Sequence, residues 1–503
     1  MHSLGLYHSS MVTCRYSIPT ILSVGLDEDP DLHTKLERKV ELAIAQVVSD
    51  HPFLRVGLRG EHERKPAFVE LEAVDFRRHV EWRCFAKTAE YESELLELIE
   101  SRLNIKVPQP EDRPSWRILV LRVEGERVLD VVFEWGHAHI DGMSAKMFHE
   151  NLLRNLNGDF ALEEFRDRVL TIPPSKRRDL PPSLHALTKF PITPGYALAT
   201  LWDEFKPPRL ASISKSGLHA TWAPIQLQPY VTQYRHFSVD NDPLQNVLAT
   251  CRNHKTTLTG LIQSIAHLSL ATRLSAEEAR GFLSCTIINL RPLMGMPEAK
   301  TKISKLSGID PKKTMGNFMT SLDHEFDARW VAKIRTANMS QVGHLGPGEG
   351  GDRGGLEPLI WETAERTRTA IQKRLDDGTK NDVMGLIKFI PDYRALFKEW
   401  AKKPRGHSVT VTNLGVIDGN PHNNIPGDIS TTEDADGKWI IERAIFSVSP
   451  EAQGAVLCIC PIAVKGRELY VSCDWQDCAV DPALAQGVMS DLESWLRFIG
   501  KET

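Results

Sequence analysis

The chain has 503 residues, of which 41% are hydrophobic and 25% charged, and its formal net charge is −5. This length exceeds what one hydrophobic core usually organises, so we expect two lobes of comparable size. The acidic balance, with no cluster of Lys and Arg among aromatic residues, argues against nucleic acid as a partner.

The first part of the chain mixes strand and helix patterns. Apolar residues recur three or four apart in two stretches, which is typical of amphipathic helices, and two apolar runs flank a short turn, which predicts a hairpin. Pro52 ends the first helix, because the residue before a proline avoids helical geometry. In chain order we predict a strand over 6–18, a helix over 32–47, a hairpin of 116–123 and 127–135, and a helix over 145–156.

The middle and the end of the chain differ in composition. Residues 172–238 are rich in proline and serine without clear periodicity, which indicates a crossover between lobes. Beyond them, periodic and β-rich segments alternate again. We predict helices over 242–251 and 258–268, strands over 408–413, 439–448, 455–464 and 469–475, and a last helix over 482–498.

These elements predict an α+β fold of two layers. Each of two lobes would hold a mixed, mostly antiparallel sheet flanked by helices. We assign residues 1–171 to an N-terminal lobe, 172–238 to a linker and 239–503 to a C-terminal lobe. Eight cysteines without a C-x-x-C pair favour a reducing compartment. No run approaches ~18 apolar residues. We therefore expect a cytoplasmic monomer without a transmembrane segment.

The segment with most chemical content lies between the hairpin and the following helix. It contains the motif His137-x-x-x-Asp141-Gly142. A histidine with an ordinary pKa near ~6.5 can accept a proton from a hydroxyl at neutral pH and return it later. The aspartate can fix the loop, and the glycine tolerates backbone angles that a Cβ forbids. His137 is thus the candidate general base.

Further motifs follow in a defined order. Arg113-Pro114-Ser115-Trp116 precedes the histidine, and Asn289-Leu290-Arg291-Pro292, Gly316-Asn317-Phe318 and Val411-Thr412-Asn413-Leu414-Gly415 follow it. With H-x-x-x-D-G, this series resembles the fungal alcohol acetyltransferases, within the superfamily of chloramphenicol acetyltransferase, plant BAHD acyltransferases and peptide-synthetase condensation domains. The plant D-F-G-W-G motif is absent, and Gly136 stands where many relatives have a first histidine.

The resemblance implies two chloramphenicol-acetyltransferase-like lobes with the active site in a tunnel at their interface. His137 would assist direct attack of an alcohol on an acyl-CoA thioester, with acetyl-CoA as cosubstrate and no permanently bound cofactor. Asp141 would be structural and paired with Arg291, and Gly142 would serve loop geometry. Thr412 and Asn413 are candidates for oxyanion or loop support. The acceptor would be a small secondary-metabolite alcohol, such as a terpenoid.

Three other functions remain open. A condensation-type enzyme would use an amine acceptor or a carrier-protein thioester as donor. A zinc hydrolase would use His137-x-His139-x-Asp141 as ligands, although the next position of that motif is Gly142 and not a ligand. A catalytically silent relative would bind a partner only. We expect no metal, and the absence of G-x-S-x-G disfavours a serine hydrolase.

Overall fold

The fold is described from a computed structural model. It describes residues 1–86, 90–108, 110–177, 180–205, 215–294, 310–339, 355–420 and 437–501. Strands and helices alternate through both halves, in the mixed two-lobed architecture that the sequence predicts. Two hydrophobic cores of buried side chains accompany the two main sheets.

The first sheet has five strands and carries the segment that leads to His137. Its strands are antiparallel except for the edge strand at residues 80–85, which runs parallel to its neighbour. The strand before His137 lies in the middle of the sheet, and its residues from Leu129 to Trp135 are all buried. In spatial order the strands are Ile440–Val448, Ser10–Ser17, Val128–Trp135, Trp116–Val123 and Val80–Phe85.

The second sheet combines parallel and antiparallel pairs. Three strands that lead toward the interface of the lobes run parallel, and the outer pairs are antiparallel. In spatial order its strands are Thr232–Val239, Leu469–Gln476, Leu457–Val464, Val409–Val411, Phe282–Asn289 and Met319–Phe326, with Gly415–Ile417 also paired to Leu457–Val464. Two small sheets hold Val56–Arg59 with Ala67–Glu70, and Ala73–Asp75 with Val169–Thr171 and Phe165–Arg166.

One strand belongs to the sheet of the other lobe. Ile440–Val448 lies in the sequence range assigned to the C-terminal lobe, yet it pairs along its whole length with Ser10–Ser17 of the first sheet. Thr232–Val239 likewise begins inside the predicted linker but pairs with Leu469–Gln476 in the second sheet. The division at residues 171 and 239 stays a prediction. The exchanged strand ties the two lobes together through backbone hydrogen bonds.

Helices cover both sheets. Pro30–Asp50 packs on Gly142–Leu156 in the first lobe, and Leu258–Arg273 packs on Glu357–Asp376 and Pro482–Lys501 in the second. The other helices of one turn or more are Thr20–Ser23, Tyr91–Leu103, Leu184–Leu187, Pro194–Phe205, Asn241–Asn253, Ala328–Met339, Met384–Ile387 and Tyr393–Trp400.

The crossover contains more regular structure than its composition predicts. Pro194–Phe205 is helical within the segment that showed no periodicity. Pro194 occupies the first residue of the helix, where a missing N–H costs no hydrogen bond, so this proline starts the helix and does not interrupt it. Across the described ranges, no helix combines the length and apolar character that a membrane span requires.

Candidate functional site

His137 lies in a short loop between a buried strand and a helix. The strand Val128–Trp135 ends two residues before it, and the helix Gly142–Leu156 begins five residues after it. The loop is fixed by backbone hydrogen bonds, from the N–H of Gly136 to the carbonyl of Ser115 at 2.9 Å and from the N–H of His139 to the carbonyl of Gly136 at 3.1 Å. Rigid elements on both sides therefore present a half-buried imidazole to the space between the lobes.

The His137 ring is oriented by groups around its Nδ1 atom. The amide nitrogen of Asn317 donates to the backbone carbonyl of His137 at 2.8 Å and lies 3.2 Å from Nδ1. A neutral imidazole carries its proton on one ring nitrogen and accepts with the other, so a ring with its proton on Nδ1 would offer Nε2 to a substrate.

Two residues near the N-terminus contact His137. The backbone N–H of His137 donates to Nε2 of His2 at 3.2 Å, and the ring of Tyr7 meets the imidazole edge to face, with centroids 5.8 Å apart. Burial lowers the pKa of His2 to about 2, so its Nε2 is an acceptor at neutral pH, as the bond requires. Burial also lowers the pKa of His137, while its own carbonyl and the charge of Asp141 act in the opposite direction.

Asp141 and Arg291 form a buried ion pair between the lobes. The guanidinium donates to Oδ2 at 2.9 Å and to Oδ1 at 3.0 Å, and each side chain is 3% exposed. Asp141 caps the helix that follows His137 by accepting from the N–H of Ser144 at 2.9 Å, and it also accepts from the N–H of Phe318 at 2.8 Å. The acceptor sites of the carboxylate are thus occupied by Arg291, by the start of the helix and by the Phe318 backbone.

Ser144 connects the ion pair to the Gly316-Asn317-Phe318 segment. Its hydroxyl accepts from Arg291 at 2.8 Å and from the N–H of Gly316 at 3.0 Å. The same hydroxyl can donate its one proton to Asp141 or to the carbonyl of Gly316, each 2.9 Å away. The helix behind His137 is therefore joined to the segment that carries Asn317.

Gly142 is required for a reason that differs from the predicted one. We expected it to supply unusual backbone angles, but it is the first residue of the helix and lies outside the set of glycines with positive φ. A Cβ at this position would lie 2.8 Å from Cδ2 of Leu414 and 3.3 Å from Cζ of Phe446. A larger residue here would require these two side chains to shift, so close packing of the helix start, and not loop conformation, favours glycine.

Thr412 and Asn413 both line the space that faces His137, but they differ in what their side chains do. The Asn413 amide donates to the hydroxyl of Thr259 at 3.1 Å and accepts from the N–H of Gly415 at 2.7 Å. Gly415 has a φ of +72°, so the amide supports a turn that favours glycine. The Thr412 hydroxyl has no hydrogen-bond partner among the described residues. Thr412 is the better placed of the two for an oxyanion.

A cavity of about 1720 Å³ is lined by side chains of this site, among them His137, Asn317 and Thr412. Most binding pockets span roughly 300 to 1,000 Å³, so this one has room for two substrates at once. Its floor is the second sheet, with Cys285, Thr410 and Cys458 side by side in paired register. The helices Pro194–Phe205, Met384–Ile387 and Tyr393–Trp400 also contribute to its lining, which is mostly apolar.

The three residues of the alternative zinc motif face different partners. Asp141 is bound by Arg291, whereas Nε2 of His139 lies 3.3 Å from the carbonyl of Val56 and its ring packs on Phe68. His137 and Asp141 line the cavity, whereas His139 is absent from its lining. Across the parts of the chain with assigned structure, no group of three His, Cys, Asp or Glu side chains is placed to hold a metal ion.

The sequence of this chain is similar to those of known alcohol acetyltransferases. Residues 82–287 match the sequence model of the alcohol acetyltransferase family. The matched range includes His137, Asp141 and Gly142. A probable alcohol acetyltransferase of Fusarium pseudograminearum, FCK4, is 28% identical over 511 aligned positions, which cover 100% of this chain and 93% of the relative. The resemblance seen in the sequence is confirmed, and the protein is an acyltransferase.

Solved structures agree on the fold. The trichothecene 15-O-acetyltransferase TRI3 of Fusarium sporotrichioides superposes with a TM-score of 0.65 at 14% identity, covering 98% of this chain and 92% of that one. The first condensation domain of the CDA synthetase gives a TM-score of 0.56 at 12% identity, with 99% and 91% covered. The two-lobed fold predicted for this acyltransferase is therefore confirmed.

Four residues of the candidate site are not assigned a role by the sequence alone. Asn317 lies in the G-N-F motif, but the sequence does not reveal that its amide meets the His137 carbonyl. Ser144 follows Asp141 by three residues, the spacing of a helix cap, and that signal could have identified it. His2 and Tyr7 precede the first strand, and their proximity to His137 arises only when that strand pairs with Val128–Trp135.

Proposed function

We propose that this protein transfers an acetyl group from acetyl-CoA to a hydroxyl of a small, apolar secondary-metabolite alcohol, such as a terpenoid, with His137 as the general base. The supporting observation is the position of the imidazole. Its loop is held by the Asn317 amide, and the ring faces a cavity large enough for both substrates. The relatives named for alcohol acetylation point the same way.

The reaction proceeds in one ternary complex. Nε2 of His137 takes the proton of the acceptor hydroxyl as the alcohol oxygen attacks the carbonyl carbon of the thioester. The tetrahedral intermediate then expels the sulfur, the C–S bond breaks, and the thiolate takes the proton from the imidazolium. The products are an ester and free CoA thiol, and His137 returns to its neutral form. No covalent acyl-enzyme is needed.

The remaining residues support this chemistry. We assign Thr412 as the donor to the oxyanion, because its hydroxyl faces the cavity and has no other partner among the described residues. Asp141 and Arg291 hold the loop, Gly142 permits close packing of the helix behind it, and Asn413 shapes the turn after Thr412. All of these except Thr412 act on the position of His137 or of the facing strand, and none of them transfers a proton.

The cavity favours an apolar acceptor. Its lining is mostly hydrophobic, with a small number of polar groups, among them His137, Asn317 and Thr412. An apolar molecule gains free energy in proportion to the surface it removes from water, roughly 25 cal/mol per Å². A hydroxyl carried by an apolar skeleton would therefore be drawn to the polar end of the cavity, beside the imidazole.

The test is a substrate panel with a direct readout. The purified protein is incubated with acetyl-CoA and a set of terpenoid and simple alcohols, and free CoA thiol and the acetyl ester are measured together. We expect thiol release that depends on an alcohol and matches the ester formed. A parallel panel of amines, and of carrier-protein thioesters as donors, examines condensation-type chemistry. Transfer to amines only, or no thiol release with any acceptor, would refute the proposal.

A further inference from the structure

Large apolar side chains surround the opening of the cavity and are exposed to solvent. Five of them both line the cavity and lie on the surface, with exposed fractions that reach 69% at Phe389. Side chains of this size are normally buried, and a continuous exposed group of them marks an interaction surface. They are Leu201, Val383, Phe389, Tyr393 and Trp400.

The helix Pro194–Phe205 extends this surface. Leu198, Leu201 and Trp202 are spaced three and four residues apart, so they share one helix face, and all three are exposed. The helix is joined to the segment that contains Val383, because the side chain of Asn381 accepts from the N–H and the hydroxyl of Thr193. These seven side chains form one surface around the opening, which we call the rim.

The C-terminal segment of the rim carries a net charge opposite in sign to that of the whole chain. Residues 388–403 contain five Lys or Arg and two Asp or Glu, whereas the whole chain has a net charge of −5. Lys388, Lys398, Lys402 and Lys403 are exposed. The ammonium of Lys388 lies over the ring of Phe389, 5.0 Å from its centroid. Basic groups thus alternate with the aromatic members of the rim.

We propose that the rim docks on an anionic lipid bilayer and opens the cavity toward it. Trp, Tyr and Phe side chains with nearby lysines suit the boundary of a membrane, where the rings enter the headgroup region and the ammonium groups meet lipid phosphates. The lysines also make the surface selective for anionic lipid. An apolar acceptor dissolved in the bilayer would then reach the cavity without crossing water. The docking itself does not depend on the proposed function.

Vesicle flotation tests the docking without any assay of catalysis. Full-length protein is mixed with vesicles of phosphatidylcholine alone, or of phosphatidylcholine with phosphatidylserine. We expect binding to the anionic vesicles that is at least about tenfold stronger and that weakens with added salt. Leu198→Glu and Phe389→Glu should each reduce it by about tenfold or more, because a charge replaces a side chain that enters the headgroup region.

The chain offers a matched control. Ile21 is 85% exposed, like the rim residues, but lies on Thr20–Ser23 and does not line the cavity. Ile21→Glu should bind vesicles as the parent does. Leu198 is outside the cavity, so Leu198→Glu should retain the parent's activity toward a water-soluble acceptor.

Three results would overturn the docking. The first is an absence of binding to anionic vesicles. The second is an equal loss of binding in Ile21→Glu and in the rim variants. The third is a dimer in solution that the rim variants convert to monomer, because the rim would then bind a second copy of the chain. Whether the protein acetylates alcohols is decided separately by thiol release, so a failure of one proposal does not imply failure of the other.

Discussion

Arg291 of the second lobe holds both carboxylate oxygens of Asp141 in the first, at 2.9 and 3.0 Å, at a point where neither side chain reaches solvent. Asp141 is also the cap of the helix behind His137. The same carboxylate therefore fixes the end of the loop that carries His137, the start of a helix and the contact with the other lobe.

Replacing Asp141 by Asn should destabilise the protein markedly. The amide keeps the shape of the carboxylate but leaves the guanidinium of Arg291 buried without a counter-charge, which typically costs ~3 to 5 kcal/mol. Urea unfolding measures the loss. As a control, Glu362→Gln breaks the exposed Lys333–Glu362 pair and should cost at most about 1 kcal/mol. Equal losses in the two variants would show that the buried pair contributes little.

Gly142→Ala should also destabilise the protein, by about 1 to 3 kcal/mol, because its Cβ would overlap Leu414. Leu414→Ala creates space at the same point, so the double variant should lose less free energy of unfolding than the sum of the two single variants. Gly195 is helical too, and a Cβ there would meet no atom within 4 Å. Gly195→Ala should leave stability unchanged or slightly raised. Strict additivity at 142 and 414 would contradict the packing explanation.

Asn317→Ala should lower kcat more than it raises KM. The amide orients the imidazole and touches no reacting bond, so its loss lets the ring turn away from the attack geometry, and such misplacement can cost up to ~100-fold in rate. The melting temperature should change little, because Asn317 is partly exposed. A rise in KM at constant kcat would instead assign Asn317 to substrate binding.

Whether a feature of this site could be predicted from the sequence depends on how far apart along the chain the contacting residues lie. Local periodicity predicts the hairpin strand Trp116–Val123 and a helix after His137. The structure confirms both elements. The pairing of Ile440–Val448 with Ser10–Ser17 could not be predicted. Periodicity states which face of a strand is buried and not which strand lies beside it.

The contact of Asp141 with Arg291 could be predicted only in part. Its two residues are 150 positions apart, so spacing says nothing about their contact, and only the resemblance to a known family suggested it. Asn317 was in a recognised motif, yet its bond to the His137 carbonyl depends on the angle at which the lobes meet. The rim could not be predicted from the sequence, because its two halves are separated by nearly two hundred residues.

As the pH is lowered, the protein should begin to lose stability at a pH above the range in which its carboxylates are protonated. Burial lowers the pKa of His149 and of His267 to about 3, against about 6.5 in the unfolded chain. Below pH ~6.5 the unfolded state therefore binds protons that the folded state does not, and stability falls as the pH falls toward 3. Each such histidine contributes up to about 1.4 kcal/mol per pH unit.

Unfolding by urea between pH 7.5 and 5, values chosen around that unfolded pKa of about 6.5, tests this slope. His267 stacks on Phe326 with centroids 4.1 Å apart, so His267→Phe keeps the packing and removes the titration. We expect a shallower slope for this variant. An unchanged slope in His267→Phe would show that this ring is not neutral in the folded protein.

His137→Ala is expected to lower kcat by ~10² to 10⁴. The free energy of unfolding should stay close to that of the parent, because the ring is half-buried and lies in a loop. The pH profile adds an independent measurement. A general base must be neutral, so kcat/KM should rise with pH and level off above the pKa of His137. Burial lowers that pKa, so the midpoint should lie below 6.5. A midpoint above 6.5, or an alanine variant with the turnover of the parent, would remove His137 from the mechanism and leave Thr412 facing a cavity whose base is unidentified.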